Sequence, residues 1–105
     1  MTPEYLYLTT RGRRTGSPRE IEIWFTWDAD RYHLVSELRQ RAQWVRNVLA
    51  EPRVQWRVGT ATFAGRARVL GESADRERAR AAQARSRAKY GWGEGLVVEL
   101  TPETV

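Results

Sequence analysis

Residues 19–28 read Arg-Glu-Ile-Glu-Ile-Trp-Phe-Thr-Trp-Asp, and their side chains alternate. Ile21, Ile23, Phe25 and Trp27 share one face; Glu20, Glu22, Trp24 and Thr26 share the other. A period of two is the mark of a half-buried strand, which predicts one over Arg19–Asp28. Such a strand must lay its apolar face on further strands or on a helix, so the rest of the chain is read for partners.

Strand partners are plentiful. Tyr5–Thr10 is rich in aromatic residues and β-formers and predicts a first strand. Asp28-Ala29-Asp30 is a tight connection, because short Asp side chains stabilise turns, and Arg31–Ser36 follows as a third strand. Arg53–Val58 alternates with Val54, Trp56 and Val58 facing one way. Gly59-Thr60 is a two-residue turn leading to Ala61–Leu70, where Phe63, Gly65, Ala67 and Val69 share a face. The small Gly65 and Ala67 let backbone or a ligand approach closely. Leu96–Leu100 is the last strand, and 101–105 a short tail.

Two segments have the helical period. Over Gln40–Glu51, Trp44 pairs with Val48 and Val45 with Leu49 in one stripe. Pro52 stops that helix by disfavouring helical geometry at Glu51. The second helix, Ala74–Tyr90, starts with Ser73 as N-cap and with Asp75 and Glu77 in its first turn. Its stripe is Ala74, Ala81, Ala84 and Ala88, which offers little apolar area. Gly91 is its C-cap, and Gly91–Gly95 forms a loop.

Six strands joined mostly by hairpins close most simply into a small antiparallel barrel with two helices packed outside, a mainly β fold. The 105 residues make one domain, which buries roughly 65% of its unfolded surface. No apolar run approaches the ~20 residues of a membrane span, and the start has no signal-peptide pattern. Cysteine is absent, which excludes disulfides and thiolate metal sites and fits a cytoplasmic protein. His33 is the single histidine, expected as a partly exposed strand residue, so no metal site is expected. Nucleophilic catalysis lacks its parts, with no Cys and no Ser-His-Asp grouping.

Between the first two strands lies Thr9–Arg19, with four arginines, two glycines and four hydroxyl side chains. Glycines let backbone N–H groups turn inward, and guanidinium forks add charge-assisted hydrogen bonds. The loop is built to gather an anion, and the net charge of +5, almost all arginine, favours anionic ligands.

The run Leu8-Thr-Thr-Arg-Gly-Arg-Arg-Thr-Gly-Ser-Pro-Arg19 resembles the opening of the deazaflavin-dependent nitroreductases, which carry Leu-Thr-Thr-x-Gly-Arg-x-Ser/Thr-Gly-x-x-Arg. Ile23-Trp-Phe25, the turn Asp28–Arg31, Trp44-Val-Arg-Asn47-Val-Leu-Ala-Glu-Pro52, Arg53–Val58 and Arg66-Ala-Arg-Val69 follow in that family's order. The likeness covers nearly the whole chain. It implies a split β-barrel related to flavin reductases and pyridoxamine-phosphate oxidases. It also implies hydride transfer from reduced coenzyme F-420 to a quinone or nitroaromatic acceptor. By resemblance, Arg13, Arg14, Thr15, Gly16 and Arg19 bind the cofactor phosphate. Val35 and Ser36 line its ring, and Trp44 packs near ring and substrate. Flavin-binding split barrels often pair, which suggests a homodimer. Two departures make FMN the alternative cofactor: the family commonly has Ser-Lys-Gly-Gly where this chain has Ser36-Glu-Leu-Arg39, and its aromatic-rich segment before the last strand is shortened here to mainly Tyr90 and Trp92.

Hydride chemistry asks the protein to orient the cofactor and tune its electrostatics. Ser36 is the candidate for stabilising charge near the ring's pyrimidine edge. Tyr90 or Trp92 is the candidate for stacking on the acceptor or acting as a lid. Two other functions are weighed. A basic barrel with five tryptophans permits nucleic-acid binding, but the tryptophans fall mostly on apolar faces and the arginines are dispersed. A barrel that binds cofactor without turnover is the other.

Overall fold

The computed structural model describes residues 4–71 and 75–103. Its strands are β1 (Tyr5–Arg11), β2 (Pro18–Trp24), β3 (Thr26–Asp28), β4 (Arg31–Ser36), β5 (Arg53–Val58), β6 (Ala61–Val69) and β7 (Leu96–Pro102). Helix α1 spans Gln43–Ala50 after a 3-10 turn at Arg39–Arg41, and α2 spans Arg76–Tyr90. The strands form one antiparallel sheet in the order β2-β1-β5-β6-β7-β4-β3. Its two outermost strands are neighbours in sequence, joined by Phe25 alone, so the sheet curls into a split half-barrel flanked by two helices.

Seven strands replace the six expected, because the run 19–28 breaks at Phe25. β2 pairs with β1, whereas β3 pairs with β4 at the opposite end of the sheet. At the break two consecutive residues, Phe25 and Thr26, turn inward. The alternation therefore inverts, and Trp27, expected on the apolar face, is 56% exposed. Helix α2 supplies the partners for the break. Phe25 N–H donates to the Tyr90 hydroxyl (3.1 Å), and Lys89 Nζ donates to the Phe25 carbonyl (3.0 Å). A buried peptide left without partners would cost about 1–3 kcal/mol.

Inside the curl lie Leu6 and Leu8 from β1, Leu34 from β4, Trp56 from β5, and Val98 and Leu100 from β7. Trp56 is the largest fully buried side chain. Tyr32 and Phe63 pack on it with ring centroids 5.7 and 5.6 Å away. Truncating such a residue typically costs about 3–5 kcal/mol. Gly65 sits opposite Pro102, and a Cβ there would collide with the Thr101 carbonyl. The close approach expected at Gly65 is thus made by the β7 backbone.

Helix α1 buries its expected stripe except at Leu49, whereas α2 presents a different face from that expected. In α1, Val45 and Val48 are buried with Asn47, and Leu49 is 59% exposed. Burying Asn47 rotates the inward face toward it and turns Leu49 out. In α2, Ala82 and Ser86 are buried while Ala81, Ala84 and Ala88 are exposed. Alanine stripes bury so little that hydrogen bonds decide the face: Gln83 donates to the Gly95 carbonyl (2.9 Å) and Ser86 to the Trp92 carbonyl (2.6 Å). Gly91 closes the helix as expected, at φ 79°, with its N–H on the Arg87 carbonyl. The expected N-cap Ser73 and Ala74 lie outside the described residues.

Candidate functional site

The β1–β2 loop is tightly bonded to itself. Gly12 N–H donates to the Ser17 carbonyl (2.8 Å), and Gly16 N–H to the Gly12 carbonyl (2.7 Å). Gly16 has φ 74°, a conformation glycine adopts without strain. Over Gly12 two polar groups converge: a Cβ there would lie 3.5 Å from Thr15 Oγ1 and 3.6 Å from Arg19 Nε. The absent side chain leaves room for them.

Arg13 turns from the loop onto α1. Its Nη1 donates to Asn47 Oδ1 (3.0 Å) and its Nη2 to Gln43 Oε1 (2.8 Å). Its backbone N–H also reaches Asn47 Oδ1 (3.4 Å), and Asn47 Nδ2 donates to Thr10 Oγ1 (3.3 Å). These partners are neutral, so Arg13 is oriented without losing its positive charge. Arg14 and Arg19 form no ion pair among the described residues. A cavity of about 780 Å³ opens here, lined by Arg13, Arg14, Thr15 and Arg19 with Glu20 as its one acidic residue.

A second cavity of about 630 Å³ adjoins it, and Ile21, Gln43 and Trp44 line both. Together they form a groove along the free edge of β2, basic at one end and aromatic at the other. Val35, Ser36, Trp24 and Trp92 line the aromatic end. Every residue expected on the phosphate, except Gly16, lines the basic end; Gly16 shapes the loop beside it.

Ser36 is buried, and its hydroxyl donates to the Arg39 carbonyl (3.0 Å). It closes the turn in which Arg39 adopts φ 54°. Its proton is therefore engaged by the backbone. Tyr90, expected at the acceptor, stands instead behind the groove wall. Its ring stacks on Trp24 at 4.4 Å and 2°. Its hydroxyl contacts the Glu4 and Phe25 carbonyls at 2.6 and 2.8 Å, and burial pushes its pKa up. Trp92 reaches the groove itself, on a loop whose Gly95 packs against the Ser36 carbonyl.

His33 is not the partly exposed residue expected. It is buried, with Nε2 2.9 Å from Glu99 Oε2. Glu99 Oε1 also meets Arg31 (3.1 Å) and Arg78 (3.4 Å). Burial lowers the His33 pKa and outweighs the raising effect of Glu99. Burial would raise that of Glu99, but the His33 hydrogen bond and the Arg78 and Arg31 charges win, and it falls below the ordinary carboxylate value. At neutral pH the pair is neutral His33 and ionised Glu99. It fastens β4 to β7 away from the groove. Two signals in the sequence marked these buried polar residues: a lone acid within Leu-Val-Val-Glu-Leu, and an asparagine on the apolar face of α1.

Among the described residues no helix is long and apolar enough to cross a membrane, and no cluster of His, Cys, Asp and Glu could hold a metal. Residues 1–94 match one protein family, F420H(2)-dependent quinone reductase. No curated protein matches the chain. A solved F420-H2 dependent reductase is 22% identical, covering 92% of this chain and 93% of its own, with a TM-score of 0.68. A FAD-binding protein from Mesorhizobium loti is 15% identical, covering 96% and 82%, at TM-score 0.75. The heme storage protein HutZ from Vibrio cholerae is 16% identical, covering 98% and 84%, at TM-score 0.77. At these identities the shared property is the fold.

Proposed function

Because this chain belongs to the F420H(2)-dependent quinone reductase family, we propose that it transfers a hydride from reduced coenzyme F-420, or from reduced FMN, to a quinone or nitroaromatic acceptor. The observation that carries this is the continuous groove joining three uncompensated arginines to an aromatic chamber. The donor set fits a phosphorylated ring cofactor. Arg14 and Arg19 have free guanidinium edges for phosphate oxygens, and Thr15 adds a hydroxyl. Arg13 adds positive charge from a fixed position.

The reduced cofactor would supply the hydride, and a solvent proton would complete reduction of the acceptor. This chain's residues hold and orient. Val35 and the free edge of β2 bound the ring chamber, and Trp44 joins the two halves. Trp24, backed by Tyr90, and Trp92 give flat apolar surface on which an aromatic acceptor can lie. We assign Tyr90 to holding Trp24, and Ser36 to fixing the turn beside the chamber.

The test is to incubate the protein with F-420 and with FMN separately, desalt, and record the visible spectrum. A retained band followed by bleaching of reduced cofactor on adding menadione supports the reading. Failure to bind either cofactor at micromolar concentration overturns it. A cofactor carrier without turnover is the second reading. It is favoured by the Ser36 proton being tied to Arg39, and would show a retained band with no menadione reduction.

A further inference from the structure

The two ends of the groove carry opposite charge. The basic end has Arg13, Arg14 and Arg19. Among the residues lining the aromatic end only Glu22 and Glu37 are charged. Glu22 is fixed on the outer face of β2, where Tyr7 Oη donates to its Oε2 at 2.8 Å. The Glu22 hydrogen bond and charge push the Tyr7 pKa up. Glu37 follows Ser36 and is exposed, and it forms no ion pair among the described residues. Trp24, Trp92, Leu38 and Ile23 line the same end and offer surface for a flat apolar ring.

We propose that the aromatic end selects acceptors by charge: it takes neutral or cationic flat aromatic molecules and rejects anionic ones. This rests on the groove being the hydride-transfer site. A cofactor phosphate held at the arginine end would leave Glu22 and Glu37 as the charges lining the acceptor's end of the groove. One carboxylate ~6 Å from an anionic substituent opposes its binding about threefold at the dielectric of water, and about tenfold at half that value. Two carboxylates compound the effect. Salt weakens it, because the groove is open and the Debye length is ~10 Å at 0.1 M.

The probes are 1,4-naphthoquinone and its 2-sulfonate, one uncharged and one anionic on the same ring. Binding to protein loaded with oxidised F-420 or FMN, so that the arginine end is filled, is read by quenching of tryptophan fluorescence, and turnover with reduced F-420 is measured alongside. At low ionic strength the sulfonate should bind at least about tenfold more weakly than the neutral quinone. The gap should shrink in 0.5 M salt. In the double variant Glu22→Gln, Glu37→Gln it should fall to about twofold or less. Thermal melting of the variant checks that it stays folded; the single variant Glu37→Gln, at an exposed position, should close part of the gap if the double variant melts. Equal binding of the two quinones, binding of neither, or a gap that survives in the folded variants overturns the proposal. Cofactor retention separates the two claims. A retained cofactor with equal quinone binding refutes charge selection alone, whereas failure to bind F-420 or FMN refutes the hydride-transfer reading beneath it.

Discussion

Asn47 Oδ1 accepts hydrogen bonds from both the side chain and the backbone of Arg13, at 3.0 and 3.4 Å. The cation is held by a neutral amide that is itself buried at 5% exposure. Asn47→Ala removes the donor to Thr10 Oγ1 and leaves Arg13 with Gln43 as its remaining side-chain partner. We expect a loss of about 1–3 kcal/mol in urea unfolding, together with weaker cofactor binding by titration. Asn47→Asp is the sharper test. It keeps an acceptor for Arg13 but adds a negative charge, so cofactor affinity should fall even where the unfolding midpoint holds.

Arg14 and Arg19 line the basic cavity without an ion pair, so removing either costs the fold little. Each charge-assisted hydrogen bond to a phosphate is worth about 1.5–3 kcal/mol. Arg14→Ala and Arg19→Ala should therefore each weaken cofactor binding roughly tenfold to 150-fold, with the melting temperature nearly unchanged. Equilibrium dialysis against F-420 and FMN measures this. Undiminished affinity in both variants would mean that the phosphate lies elsewhere.

Tyr90→Phe separates support from chemistry. The stack on Trp24 survives, but the Phe25 N–H loses its partner. We expect a destabilisation of about 1–3 kcal/mol by chemical denaturation, with turnover per folded molecule preserved. A large fall in kcat with stability intact would instead make the hydroxyl a participant in the reaction.

The Glu99–His33 pair sets an acid limit. His33 has a folded pKa below its ordinary 6.5, so the unfolded chain takes up its proton first. Glu99 has a folded pKa below its ordinary 4.5, so its stabilising charge is lost as pH falls through the folded value. Both effects act in the same direction. Stability should be full above about pH 6.5, begin to fall as pH drops below it, and fall further below about 4.5. Glu99→Gln leaves the surrounding arginines without their carboxylate and should cost about 3 kcal/mol at pH 7. It should also flatten the acid limb below pH 4.5 in a pH series of thermal melts.

Local pattern revealed the strands, because alternation is decided residue by residue. It missed the break at Phe25, because that break answers to a tyrosine 65 residues downstream, at the end of α2, which binds the freed peptide. The place of Leu49 in α1 and the face of α2 departed from pattern for one reason: polar residues turned inward toward partners outside their helix, Asn47 to Thr10 and Ser86 to Trp92. The basic loop was legible because its glycines and arginines are contiguous. The aromatic chamber was legible in part. Val35, Ser36 and Trp44 followed from the family resemblance, whereas the stacking of Trp24 on Tyr90 depends on curvature that no local run of residues encodes.

Helix α2 is joined to the barrel by a few hydrogen bonds and a small apolar patch around Ala82, Leu70 and Val97. On warming, such a segment is expected to peel away before the sheet melts. As it departs it takes the prop behind Trp24 and the anchor of the Trp92 loop. The pocket would then fail while the curled strands endure, so the temperature at which the molecule stops working should lie below the one at which it loses its shape.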